Sequence, residues 1–410
     1  MVRVAIVGIG GYGWGLVQVI RRVAEAAGCR LVAAADARLA AFPERADELS
    51  AAGVELFGDA LAMFDALRGR CDAVYIATGI PSHAPLAIAA AQAGYHVHLE
   101  KPPAATVQEV DRMLEVFRAA GRFCLVGFQA LHGRDIRFVK ERVVSGRLGR
   151  VKTLACHAGW PRTRAYYERT EWAGRLRVGE AWVLDGPAMN ALAHQVTNML
   201  FLASPEPGRL ATPTSVRAEL YAAGPIESHD TAAIEICTAE GPTAYFLASH
   251  CTEGSFGPVI ELEAEGDRVA WSMRDGATIR YADGSRETCE APGDAAREAM
   301  VANFVEAVRA GDGSRLRCPL AQTRRFVLAL DGAHESSGRI HRVDRACCHR
   351  LDAGTAEART VVDGLDERIR SAAERRCLLS DLPDAPSWAA ASQPFDLGGY
   401  GAFPQRFRIS

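Results

Sequence analysis

The sequence predicts an α/β protein in two parts, a doubly wound parallel sheet followed by an α+β domain with a mostly antiparallel open sheet. Three observations carry this expectation. Up to about residue 127, short apolar runs alternate with helical stretches, β then α, as a parallel sheet with crossover helices requires. Beyond that point strands alternate strictly, with Val216, Ala218, Leu220 and Ala222 set against Arg217, Glu219 and Tyr221. Finally, 410 residues favour two domains, 1–127 and 128–342, with an additional segment over 343–410.

Bulk properties exclude several classes. Lys+Arg 47 against Asp+Glu 50 leaves a net charge of -3, which gives no reason to expect nucleic acid or an anionic membrane as partner. No apolar run approaches the roughly 20 residues of a membrane helix. The start, MVRVAIVGIGG, enters a strand and a glycine turn directly and lacks a small-residue cleavage site, so a cytoplasmic location is expected. The 11 cysteines are scattered without a CxxC, and Cys347 and Cys348 are adjacent. Reduced, mostly buried thiols and no metal site follow.

The first strand, 2–7, is apolar except for Arg3, as suits a strand covered on both faces. It ends in Gly8-Ile9-Gly10-Gly11-Tyr12-Gly13, which opens an apolar helix reaching residue 27. The glycines at 8, 10 and 13 permit a tight turn, approach of backbone to a pyrophosphate, and close helix-on-strand packing. A second strand, 30–35, ends in Asp36, placed to accept hydrogen bonds from ribose hydroxyls and to repel a 2′-phosphate. NAD is therefore the expected cofactor. Arg38 could pair with such a phosphate if Asp36 turned away, which keeps NADP open.

The alternation continues with a helix over 45–52, a strand over 54–57, a helix over 60–67 and a strand over 73–77. Thr78 and His83 follow that strand, either beside the cofactor or as simple loop caps. After a helix over 85–93, the strand 95–99 runs into Glu100-Lys101-Pro102-Pro103. Pro102 biases the preceding residue toward extended angles and cannot donate a ladder bond, so Lys101 is held at a strand's carboxyl end, where ligands bind in open parallel sheets. A helix over 106–120 and a sixth strand over 123–128 close the domain.

GIGGYG, Asp36, the loop from Thr78 to His83 and Glu100-Lys101-Pro102, in this order and spacing, resemble the Gfo/Idh/MocA oxidoreductases over about residues 1–342. The resemblance implies a Rossmann domain for the first part. It also places Lys101 near the nicotinamide and the substrate's reacting carbon, with Pro102 behind it, often across a cis bond.

In the second part, a helix over 134–145 and a strand over 151–157 lead to a long segment, 159–180, rich in Trp160, Arg162, Arg164, Tyr166, Tyr167 and Trp172. Aromatic faces with guanidinium donors suit a polyhydroxylated ring, neutral or acidic, with domain packing as the alternative. Asp185 then caps a helix expected over 188–203, on which Asn190, His194 and Asn198 form one polar stripe at i, i+4 and i+8. Gln129, Trp160, Arg162, Tyr166 and Asn198 are the candidate substrate contacts. Relatives commonly carry Asp four residues before this His, where Asn190 stands, so His194 should be the weaker base. Asp185, nine residues before His194, is expected on the opposite helix face.

Helices over 296–310 and 322–338 end the family-like part, and a tail continues to residue 410. The tail reads as a charged helix over 356–376 and then an irregular strap spacing Trp388, Phe395, Leu397, Tyr400, Phe403 and Phe407, docked on the body or on a neighbouring subunit. Family members bury one sheet face against a second copy, which implies a homodimer or homotetramer. The expected activity is nicotinamide-dependent oxidation of a secondary alcohol on a sugar, cyclitol or derived acid, with Lys101 as base and His194 assisting. Two competitors share the fold: a glycosidase using transient NAD redox chemistry, and a non-catalytic nicotinamide-binding regulator.

Overall fold

The computed structural model describes residues 1–409. The chain forms two compact units. The first comprises Met1–Ala104, Gln108–Gly133 and Asp294–Arg324; the second comprises Ala105–Val107, Arg134–Gly293 and everything from Arg325 onward. This division differs from the expected boundaries at 127 and 342: the first stretch runs on to Gly133, no boundary falls at 342, and Asp294–Arg324 belong to the first unit. The helix Ala295–Ala310 returns to the first unit, where Met300, Val301, Phe304 and Val305 share a core with Val4, Ile6, Leu16 and Ile20.

In the first unit the strands β1 (Val2–Val7), β2 (Cys29–Ala35), β3 (Glu55–Phe57), β4 (Ala73–Ile76), β5 (His96–Leu99) and β6 (Cys124–Val126) form one sheet of order β3-β2-β1-β4-β5-β6. Every pair is parallel. This is the doubly wound order whose reversal, between β1 and β4, opens a crevice at the strands' carboxyl ends. Helix bounds shift by a residue or two from expectation except once. The helix expected from 85 runs Ile80–Gln92, with Pro81 in its first turn and Pro85 inside it, where only one intrahelical bond is lost.

The second unit is built on a larger sheet. Its strands are β7 (Thr153–Gly159), the small hairpin β8 (Arg177–Val178) and β9 (Ala181–Trp182), then β10 (Pro213–Ala222), β11 (Thr231–Thr238) and β12 (Thr243–Ser249). There follow β13 (Phe256–Glu263), β14 (Arg268–Ser272), β15 (Gly276–Arg280), β16 (Arg286–Cys289) and β17 (His341–Arg342). The main sheet is ordered β16-β15-β14-β13-β7-β12-β11-β10-β17. Only the β7–β12 and β10–β17 pairs are parallel. The aromatic segment after β7 is not structureless: it holds a short helix, Arg164–Glu168, and the β8–β9 hairpin.

The tail departs most from expectation. Residues 356–364 are not helical; β18 (Cys348–Leu351) and β19 (Arg359–Val362) form a hairpin, and the helix is Leu365–Arg375. The β-branched run Thr360-Val361-Val362 favours strand pairing over helix. Leu365, Ile369, Ala372 and Ala373 then pack on Ala155, Tyr221, Ala233 and Leu247, one face of β7, β10, β11 and β12. The opposite face of β7 and β12 carries the helix Ala193–Ala203. Hence the open apolar face on which an oligomer was to be expected is filled, over these strands, by the chain's own tail. The strap ends by adding β20 (Phe395–Asp396) antiparallel to β10, and the Glu335 carboxylate accepts from Tyr400 Oη and from the N–H groups of Gln405, Arg406 and Phe407.

Candidate active site

The first unit builds a cradle at the carboxyl end of β1. Gly8 has φ +92°, and a Cβ there would lie 2.4 Å from Ala77 O; a Cβ on Gly13 would lie 2.1 Å from Gly8 O. Only glycine lets the turn close and the helix Gly11–Ala27 seat on the strand. That helix starts without a side-chain cap, so its first N–H groups, over Gly10 to Gly13, are available to an anion. At the end of β2, Asp36 Oδ2 accepts from Ile9 N–H (2.9 Å) and Oδ1 from Arg38 N–H (2.8 Å). Each oxygen keeps a lone pair for a ribose hydroxyl, and the carboxylate cannot swing away without breaking both bonds. The Arg38 side chain is exposed, and Tyr12, 41% exposed, lies under the Arg297 guanidinium at 5.8 Å. These residues fit a dinucleotide.

At the same sheet edge, β5 delivers Glu100, Lys101 and Pro102, with a cis bond between the last two. Glu100 is buried, and a Cβ on Gly127 would come within 2.6 Å of its Oε1, so the carboxyl fills a slot only glycine leaves open. Burial pushes Glu100 up to about 7, against the opposing pull of Lys101 and Arg297. His83 is also buried, with Nδ1 2.7 Å from Pro102 O and Nε2 3.1 Å from Thr78 O. A neutral ring has one N–H, and the shorter contact, to Pro102, takes it. His83 thus braces the strand end instead of facing a ligand, while Thr78 accepts from Ser82 Oγ at 2.7 Å. Gln129 is buried in the turn Gln129–His132 after β6.

In the second unit the expected continuous helix is interrupted. Pro187–Ala191 forms a wide π-type turn, Leu192 departs from helical angles, and the regular helix begins at Ala193. Counting at 100° per residue therefore fails here. Asp185, expected on the far face, instead accepts from Asn190 Nδ2 (2.9 Å) through Oδ1 and from Gly174 N–H (2.6 Å) through Oδ2. Asn190 and His194 are half-buried on the exposed side of this run. Asn198 is fully enclosed, and neither amide atom has a partner, which places it behind the stripe.

The aromatic segment gathers next to Asp185. Arg162 lies over Trp160 (4.2 Å) and Tyr166 (4.4 Å), and Arg169 covers Tyr166 at 3.5 Å. The segment is pinned to the end of β12 by Trp160 N–H to Ser249 O, Arg162 N–H to His250 O, and His250 Nδ1 at 2.9 Å from Trp160 O. Burial, and then the Asp185 carboxylate, raise the Tyr166 phenol. Burial and Arg162 hold His250 down at about 3, a neutral ring. Sequence reading missed the parts of Asp185 and His250. Asp185 was legible only as a cap before Gly-Pro, and His250 sits past an ordinary alternating strand.

Comparison with known proteins agrees with both halves. Residues 2–128 match the model of an oxidoreductase family with an NAD-binding Rossmann fold, and residues 136–269 match the GFO/IDH/MocA C-terminal domain. The chain is 27% identical over 203 residues to inositol 2-dehydrogenase of Azotobacter vinelandii, covering 49% of this chain and 54% of that one. It thus spans about half the length of the curated relatives it matches. Among solved structures, the WlbA dehydrogenase of Bordetella pertussis, in complex with NADH and UDP-GlcNAcA, aligns with a TM-score of 0.68 at 22% identity, covering 82% of this chain and 96% of that one. An oxidoreductase of Agrobacterium radiobacter, in complex with NAD+, L-tartaric acid and magnesium, aligns with a TM-score of 0.67 at 18% identity, covering 82% and 96%. Glycine turn, clamped Asp36, Glu-Lys-Pro strand end and large mixed sheet follow one another in a single chain that belongs to the Gfo/Idh/MocA family of oxidoreductases.

Proposed function

We propose that the protein is an NAD-dependent dehydrogenase acting on a secondary alcohol of a sugar, cyclitol or sugar acid. The observation that carries this reading is the position of Lys101, at the carboxyl end of β5 and on the same sheet edge as the glycine turn of β1. Gly8 to Gly13 would hold the pyrophosphate and Asp36 the adenosine ribose. Bound nicotinamide supplies the acceptor for the hydride that leaves the carbinol carbon, or the donor in reverse. The hydroxyl proton must then go to a base.

Lys101 fits that duty. Its backbone N–H lies 3.3 Å from Glu100 Oε2, so the strand end that carries the amine is tied to a buried carboxyl. The second unit offers its own base, His194. Asn190 is oriented by Asp185 through its Nδ2, and an amide stabilises an imidazolium less than a carboxylate does. The reading thus ranks Lys101 first and His194 second.

The test is a panel of sugars, cyclitols and sugar acids monitored for net NADH formation, followed by Lys101→Met and His194→Asn with the best substrate at saturating NAD. Turnover should fall by about 10²-fold or more for Lys101→Met, with NAD affinity kept, and by less for His194→Asn. A larger loss at His194 would reverse the roles. Turnover that neither substitution slows would remove the mechanism.

A further inference from the structure

The second unit contains a cavity of about 650 Å3. Three stretches form most of its wall, the segment after β7 from Arg162 to Arg175, the β10–β11 turn from Gly224 to Asp230 and the β18–β19 hairpin of the tail, and Cys251 and Arg342 complete it. The hairpin is fixed to the first stretch by backbone bonds, Arg164 N–H to Ala358 O (2.8 Å) and Ala165 N–H to Ala356 O (2.9 Å). The tail therefore builds one side of the cavity.

Its lining has unspent positive charge, with six arginines against four carboxylates. Arg164 pairs with Glu168 and Arg175 with Glu227, while buried Asp230 is occupied by the N–H groups of Ala223 and Gly224. Among the described residues, no carboxylate lies within ion-pair distance of Arg162, Arg342, Arg350 or Arg359. Among the described residues, the Arg342 guanidinium donates to the carbonyls of Gly224 and Ile226, and that of Arg359 to those of Thr252 and Glu253. A guanidinium carries five N–H donors, so most of theirs are uncommitted. Arg350 is exposed, and among the described residues its guanidinium has no hydrogen-bond acceptor. Tyr167 Oη and Thr170 Oγ1, also in the lining, are buried without a partner. A wall with surplus guanidinium donors calls for an acceptor-rich anion. Inorganic phosphate alone would leave most of the volume empty, whereas a cavity of this size suits a whole small molecule. The unpaired Glu171 carboxylate and the hydroxyl of Thr170 suit hydroxyl groups on its skeleton.

We propose that this cavity binds a small sugar or polyol bearing a carboxylate or phosphate, with Arg350 and Arg359 of the tail as its principal charge contacts. The proposal does not depend on the dehydrogenase reading, because the binding is measured without NAD and without turnover.

The experiment is calorimetric titration of the full chain with glucuronate, glucose 6-phosphate, glucose and inorganic phosphate, repeated on Arg350→Gln and Arg359→Gln. Glucuronate or glucose 6-phosphate should bind at least about tenfold more tightly than glucose and than inorganic phosphate, and whichever binds better identifies the anion. Each substitution should weaken that binding about tenfold or more while NAD titration and the melting temperature stay as in the wild type. Equal binding of glucose, equal binding of inorganic phosphate, no binding at millimolar concentration, or binding indifferent to both substitutions would each overturn the proposal.

Discussion

Gly13→Ala tests the cofactor cradle at its tightest point. A Cβ on Gly13 would sit 2.1 Å from Gly8 O and 2.9 Å from Gly8 C, against the 3.0 Å below which real Cβ atoms are essentially never found. The obstructing atoms are backbone, on a residue held at φ +92° where a Cβ would itself lie 2.4 Å from Ala77 O. Neither can yield, so the helix Gly11–Ala27 has to retreat from β1 by close to 1 Å, the 0.9 Å difference between those two distances. Overpacking of this kind costs about 1–3 kcal/mol, and more when backbone must move, offset by the ~1 kcal/mol that Ala gains over Gly in a helix. A net loss of about 2 kcal/mol lowers Tm by roughly 4–8 °C for a unit of this size. The retreat also takes the helix's leading N–H groups off the phosphates, so NAD affinity should drop tenfold or more. Gly15→Ala is the control, on the same helix, with nothing within 4 Å of its Cβ. It should raise Tm slightly and leave NAD affinity unchanged. The assay is thermal melting together with NAD titration read through Trp14. Wild-type NAD affinity and Tm in Gly13→Ala would refute the close packing and with it the assigned cradle.

Glu335→Gln leaves one acceptor oxygen where the carboxylate now serves Tyr400 Oη and three N–H groups, so one buried and one part-buried donor lose their partner, the buried one at about 1–3 kcal/mol. Hydrogen exchange at Gln405, Arg406 and Phe407 should accelerate and Tm should fall; unchanged exchange would mean that the strap is held elsewhere. The pH dependence of stability has a defined contribution from Glu100. With a folded value raised to about 7 from 4.5, the folded state keeps its proton while the unfolded chain loses it, so stability is fully present below 4.5 and is lost as pH rises toward 7. Glu100→Gln removes that loss, and its stability advantage over the wild type, without cofactor, should grow by on the order of 3 kcal/mol across this window and then level off. A difference that stays flat from acid to neutral pH in denaturant melts would mean that Glu100 ionises normally.

The first unit was legible because each signal there was local. The strand-turn-helix at Gly8 to Gly13, the acidic residue ending β2 and the proline stop after Lys101 are all set by neighbours in sequence, and backbone sterics alone fix them. The second unit was less so. The polar stripe of Asn190, His194 and Asn198 was read on a uniform helix, but Pro187 and the wide turn after it reset the phase, bringing Asp185 to Asn190 and leaving Asn198 enclosed. No periodicity count contains that information, because a turn with an added residue looks the same in composition as one without it. The tail's first half misled for a related reason. Its charged residues suggest a solvated helix, whereas the pairing of β18 with β19 is fixed by docking on the segment after β7, a contact almost two hundred residues away in sequence.

The position of that tail bears on assembly. Leu365, Ile369, Ala372, Ala373, Leu378, Leu379 and Leu382 are buried against one face of β7, β10, β11 and β12, and Trp388 closes on Tyr221 at 4.9 Å in an edge-on arrangement. A second copy could take that face only after the tail had left it. Each large apolar side chain so exposed costs about 1.5–3 kcal/mol, and the buried Glu219 carboxylate would also lose Ser380 Oγ and N–H. Next to the tail lies a groove over β13 to β16 in which Glu261, Glu263, Arg268, Arg280, Arg286 and Arg376 stand beside Leu262 and Val269. Its charged groups hold water more tightly than they hold a partner, since exposed ion pairs return at most about 1 kcal/mol each. An apolar sheet face that would otherwise demand a neighbour is thus satisfied within one chain, and the same tail that satisfies it supplies Arg350 and Arg359 to the cavity. Cover and ligand wall are two parts of one segment, so loss of the tail would remove both together.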